Sequence, residues 1–85
     1  MPLKIGVLMG GESDERDVSI STGNEVLRAL KKLKFYPSKI LIENNYKDYY
    51  SSLKGHDLIF NALHGGEGED GSIQQWMGEN NIKYT

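Results

Sequence analysis

The residues best equipped for chemistry in this 85-residue chain crowd into two short stretches. One is Asn61-Ala62-Leu63-His64-Gly65-Gly66-Glu67-Gly68-Glu69-Asp70-Gly71, which runs off an apolar segment into four glycines, three carboxylates and one imidazole. The other is Gly10-Gly11-Glu12-Ser13-Asp14-Glu15-Arg16-Asp17. Together they hold Glu12, Asp14, Glu15, Asp17, Glu67, Glu69 and Asp70, seven of the twelve acidic residues. Glycines allow a backbone to approach a ligand closely, as in a phosphate cradle. Carboxylates argue the opposite way, because they repel phosphate and attract an ammonium or a metal ion.

Gly66-Glu67-Gly68-Glu69-Asp70-Gly71 satisfies G-x-G-x-x-G, the dinucleotide fingerprint. All three intervening positions are acidic and would face the pyrophosphate. The acidic ribose partner expected roughly 20 positions later has no place before the chain ends. An amino acid suits these loops better. A carboxylate in a partly desolvated crevice binds an amine by a charge-assisted hydrogen bond, and a nearby helix N-terminus favours the carboxylate end of the same molecule. His64 reads either as a group that orients a ligand or as an imidazole satisfying loop backbone. Glu67, Glu69 and Asp70 are hard oxygen donors without the spacing of a calcium loop. For Asp17, Glu67 and Asp70 the preferred reading is favourable charge at helix N-termini.

The elements that must position these loops are legible from pattern. Leu3 to Met9 is an apolar strand stopped by Gly10-Gly11. A helix is expected from Val18 or Ser19 to Lys34, with Val26, Leu27, Leu30 and Leu33 as its apolar stripe, Ile20 one turn earlier, and Ser19 or Ser21 as its cap. Gly23 within it marks close packing of helix on strand. Tyr36 to Ile42 is a second strand, with Pro37 near its start. After the turn Glu43-Asn44-Asn45, Tyr46 to Leu53 is a short helix with Tyr49, Tyr50 and Leu53 inward. Asp57 to Leu63 is a third strand, Ser72 to about Glu79 a helix, and Lys83-Tyr84-Thr85 the start of a fourth strand. This βαβαβαβ order implies a parallel sheet with helices on both faces. In such sheets ligands bind beyond the carboxyl ends of the strands where strand order reverses. If the first and third strands are neighbours, the two acidic loops meet there.

Composition narrows the classes. One small domain is expected over residues 1–85, burying about 60–65% of its unfolded surface. Without cysteine there is no disulfide framework and no thiolate zinc site. A net charge of -2 argues against a nucleic-acid or anionic-membrane partner. No apolar run approaches the roughly 20 residues of a membrane span, and no signal peptide is visible, so a cytoplasmic location is expected. The chain stops within its last strand, which points to a fragment of a longer polypeptide.

Val7-Leu8-Met9-Gly10-Gly11-Glu12-Ser13-Asp14-Glu15-Arg16-Asp17-Val18-Ser19 resembles the opening signature of the D-alanine–D-alanine ligases, a strand followed by GG-x-S-x-E-R-x-V-S. Asn61-Ala62-Leu63-His64-Gly65 followed by Gly68-Glu69-Asp70-Gly71 resembles their second signature, and Ile82-Lys83-Tyr84-Thr85 is similar to the family segment just after it. The resemblance covers essentially the whole chain, with the motifs in order.

It implies a Rossmann-like, three-layer domain with a four-stranded parallel sheet, preceding the ATP-grasp domains of an enzyme of peptidoglycan synthesis. That enzyme joins two D-alanines through an acyl phosphate. By resemblance, Glu15 holds the ammonium of the first D-alanine, Val18 lines its subsite, His64 lies beside it near the forming acyl phosphate, and Glu69 is hydrogen-bonded within the same site. Glu15 and His64 are the catalytic candidates. ATP and magnesium (or manganese) are expected in the remaining domains of a full-length enzyme, with no cofactor or metal on this piece, which alone is expected to be inactive. A homodimer is also implied. The other readings are a close relative joining D-alanine to D-lactate or D-serine, and a stand-alone amino-acid-binding or interaction module without catalysis. A receiver domain would need an aspartate where Asn61-Ala62-Leu63-His64 stands.

Overall fold

A computed structural model describes residues 3–11, 14–64 and 71–85. Its strands are β1 (Ile5–Gly10), β2 (Ser38–Ile42) and β3 (Leu58–Asn61). Its helices are α1 (Arg16–Lys32), α2 (Tyr50–Lys54), preceded by a 3-10 turn at Tyr46–Tyr49, and α3 (Ser72–Glu79). The strand order is β2-β1-β3, and both pairings are parallel. Strand order therefore reverses between β1 and β3.

β1 is buried at every position because it is central and covered on both faces. Successive side chains alternate between those faces. Val7 and Met9 join Leu27 and Ala62 in the core under α1, flanked by Ile20, Val26, Leu30, Leu41 and Phe60. Leu8 points the other way and packs with Ile40, Ile42, Tyr46, Leu53, Ile59, Ile73, Met77 and Ile82. The sheet thus lies between α1 on one side and α2 with α3 on the other, the expected three layers.

The fourth strand is a correction. Among the described residues there are three strands, and the expected fourth is one isolated parallel bridge between Ile59 and Tyr84. Ile59 N–H donates to Lys83 O at 2.8 Å and Thr85 N–H donates to Ile59 O at 3.0 Å. One bridge does not make a ladder.

Three local expectations also change. α1 begins at Arg16, earlier than the apolar stripe suggests, and Ser19 sits inside it rather than capping it. Leu33 is not part of the buried stripe but is 67% exposed, because it is the residue that ends the helix. In the segment Tyr46 to Leu53, Leu53 lies in the core and Tyr49 packs against it as expected, but Tyr46 is also buried there and Tyr50 is exposed. Asn45 Oδ1 accepts the Lys47 N–H at 2.9 Å and starts a 3-10 turn, whose tighter winding puts Tyr46 and Tyr49 on one face and leaves Tyr50 off it.

α1 and α3 stop in the same way. Lys34 at φ 73 comes after α1 and Asn81 at φ 58 comes after α3. Phe35 N–H donates to Leu30 O at 3.0 Å and Ile82 N–H donates to Met77 O at 2.8 Å, the outer bond of a Schellman end. At α3 the accompanying apolar contact is made by Ile82 and Met77, both in the core.

Candidate functional site

The site is built from the carboxyl ends of β1 and β3 and the first turn of α1. β1 leaves the sheet through Gly10 and Gly11, at φ 97 and 91. This is left-handed backbone that a side chain would strain. A Cβ at Gly10 would lie 2.7 Å from Ile42 O. The sharp turn brings the chain back to start α1 at once.

Arg16 braces the turn. Its Nη1 donates to Gly11 O at 3.0 Å and to Ile42 O at 2.7 Å, and Nη2 pairs with Glu43 Oε1 at 3.3 Å. One guanidinium thus fastens the start of α1 to the ends of β1 and β2. Ser19, 0% exposed, does the same between β1 and β3. Gly10 N–H donates to its Oγ at 3.0 Å, and that hydroxyl donates to Ala62 O at 2.8 Å. On the β3 side, Asn61 Oδ1 accepts the Leu63 N–H at 3.1 Å and turns the chain towards His64. The loops approach each other: a Cβ at Gly11 would lie 3.5 Å from Leu63 Cδ2.

Glu15 occupies the N-cap position of α1 and is exposed, its carbonyl accepting the Ser19 N–H at 3.0 Å. Val18 is 52% exposed, an unusual position for an apolar side chain at the start of an otherwise amphipathic helix. His64 is half-buried three residues past the end of β3. The fold therefore places Glu15, Val18 and His64 on the side of the sheet where the strands have their carboxyl ends. Glu69 lies outside the described residues, as do Glu12, Ser13, Glu67 and Asp70. Among the described residues no group of three or more His, Asp or Glu could hold a metal ion. No helix among them is long and apolar enough to cross a membrane.

Two residues that shape the site, Arg16 and Ser19, stand in the family signature but receive no role from it. Ser19 reads as a helix cap, and Arg16 has no reading beyond its place in the loop. The available clue was helical phase: three residues apart, they share a face distinct from that of Glu15 and Val18.

Fold and topology together define a parallel α/β domain whose β1 and β3 loops meet at the reversal of strand order. Comparison with known proteins gives the particular family. The family model described as D-ala D-ala ligase N-terminus matches residues 4–56. The D-alanine–D-alanine ligase of Pseudothermotoga lettingae is 43% identical over 98% of this chain and 28% of its own length. D-alanine–D-alanine ligase B of Clostridium perfringens is 41% identical over 98% of this chain and 27% of its own. A crystal structure of the Bacillus anthracis D-alanine–D-alanine ligase complexed with ATP superposes with a TM-score of 0.85 at 40% identity, over 98% of this chain and 28% of that one. The chain belongs to the D-alanine–D-alanine ligase N-terminal family. It spans little more than a quarter of the length of these relatives.

Proposed function

We propose that this domain provides the binding site for the first D-alanine in an ATP-dependent D-alanine–D-alanine ligase. The observation that carries the proposal is the meeting of the β1 and β3 loops at the reversal of strand order, with Glu15, Val18 and His64 on that side of the sheet. ATP supplies the phosphoryl group that activates the first carboxylate, and the amine of a second D-alanine then displaces phosphate. ATP and magnesium belong, on this reading, to the remainder of a longer polypeptide.

The roles of this chain are to bind and to orient. The Glu15 carboxylate takes the ammonium of the first D-alanine in a charge-assisted hydrogen bond. Val18 offers an exposed apolar surface to its methyl group. His64, across the crevice, lies beside the carboxylate to be activated and donates to it. The family resemblance assigns Glu69 a hydrogen-bonding role within the same site. The relatedness extends the proposal to cytoplasmic peptidoglycan synthesis by a homodimer.

The test is Glu15→Gln in the native polypeptide that carries this domain, monitored by phosphate release. Replacing an ionic acceptor by a neutral one removes about 1.5–3 kcal/mol, so the KM for the first D-alanine rises by roughly 10- to 100-fold. An unchanged KM sinks the assignment of Glu15.

A further inference from the structure

The first turn of α1 sorts its side chains onto two faces. Glu15 and Val18 are exposed, while Arg16 and Ser19 turn towards the strands. Ser19 is the one buried polar side chain among the described residues, and its position in the ladder between β1 and β3 is informative. Leu8 pairs with Asn61, and Ala62 N–H donates to Leu8 O at 2.8 Å. In a parallel ladder with even spacing, the next rung would run directly from Gly10 N–H to Ala62 O. That rung is not made. The Ser19 hydroxyl stands in it, accepting from Gly10 and donating to Ala62.

We infer that Ser19 is a positioning residue, whose inserted hydroxyl both ties the carboxyl ends of β1 and β3 and holds them one hydroxyl apart. The strands therefore splay where strand order reverses, and the gap between the Glu15 loop and the His64 loop is set by a side chain rather than by the backbone ladder. Arg16 cannot do this, because its bonds reach β1 and β2 and none goes to β3. Both polar partners are satisfied only through the hydroxyl, so an apolar side chain at 19 leaves a buried donor and a buried acceptor unmatched.

The consequence for substrate rests on the ligase reading, so the test has two arms, both on the native polypeptide. In the first, amide hydrogen exchange is measured at Gly10 with Ile59 as the internal reference. Ser19→Ala accelerates exchange at Gly10 by about tenfold or more, the loss of one hydrogen bond, and leaves Ile59 unchanged. Equal protection of Gly10 in the variant overturns the inserted rung. In the second arm, Ser19→Ala raises the KM for the first D-alanine by about tenfold at unchanged KM for ATP, whereas Ser19→Thr, which keeps the hydroxyl, restores it. If the alanine variant does not fold, Ser19→Cys replaces it in both arms, since its S–H is a weak donor on a longer bond. A rise in both KM values together, or none, or a threonine variant as impaired as alanine, overturns the positioning role. A wild-type polypeptide that makes no dipeptide refutes the proposed function instead, and the exchange arm still decides the rung.

Discussion

Gly23→Ala is expected to destabilise the domain, although the same change in an exposed helix would stabilise it by about 1 kcal/mol. Gly23 is buried in the middle of α1, over β1. A Cβ there would lie 2.6 Å from Met9 Cε and 2.8 Å from both Met9 Cβ and Met9 Sδ. Real contacts essentially never fall below 3.0 Å. The thioether end of Met9 can rotate, but its Cβ is fixed to the central strand, and Met9 is 0% exposed with nowhere to move. The helix must therefore lift from the sheet. Overpacking of this kind costs about 1–3 kcal/mol. Because no rotamer change relieves the contact with the Met9 Cβ, the upper part of that range applies, about 2–3 kcal/mol, and after the propensity gain the net loss is on the order of 1–2 kcal/mol.

Trp76 is the sole tryptophan, packed edge-on to Tyr46 at 5.1 Å between ring centroids, so its fluorescence reports unfolding of the core. With a urea slope of about 1 kcal/mol/M for a domain of this size, the midpoint falls by roughly 1–2 M. Ser19 lies one turn earlier on the same face of α1, so its two hydrogen bonds lengthen as the helix lifts. A midpoint that stays put or rises would refute the seating of α1 on Met9, since the propensity gain would then have won.

Further expectations concern the helix end and the surface of the site. Lys34→Gly should stabilise by about 0.5–1 kcal/mol in the same urea assay, since Lys34 holds φ 73, where a Cβ is unfavourable and glycine is at ease. Glu43→Gln should change stability by less than about 0.5 kcal/mol, because its pairing with Arg16 is 60% exposed on the carboxylate side and screened by water. A loss above roughly 1 kcal/mol in that variant, read from the same midpoint, would mean that Glu43 is needed to hold Arg16 on the strand ends.

The amino-acid sequence by itself determined the alternation of strands and helices, the span of α3 and the placing of the acidic loops after strands. These rest on local facts: apolar runs, helical spacing, and glycines where the chain turns. It also carried the family signatures that single out Glu15, Val18, His64 and Glu69. Tertiary structure decided what no local rule reaches. Ser19 has the composition of a cap, yet its hydroxyl goes to Gly10 and Ala62, and Ala62 is a partner 43 residues away that only sheet order supplies. Arg16 has no role assigned by local pattern, and β2 supplies its partner, Ile42 O at 2.7 Å. Tyr50 has helical spacing for the core, but the 3-10 turn before it changes the phase and leaves it exposed. A side chain's type and spacing state what it can bond to, whereas the pairing of distant strands decides which partner is there.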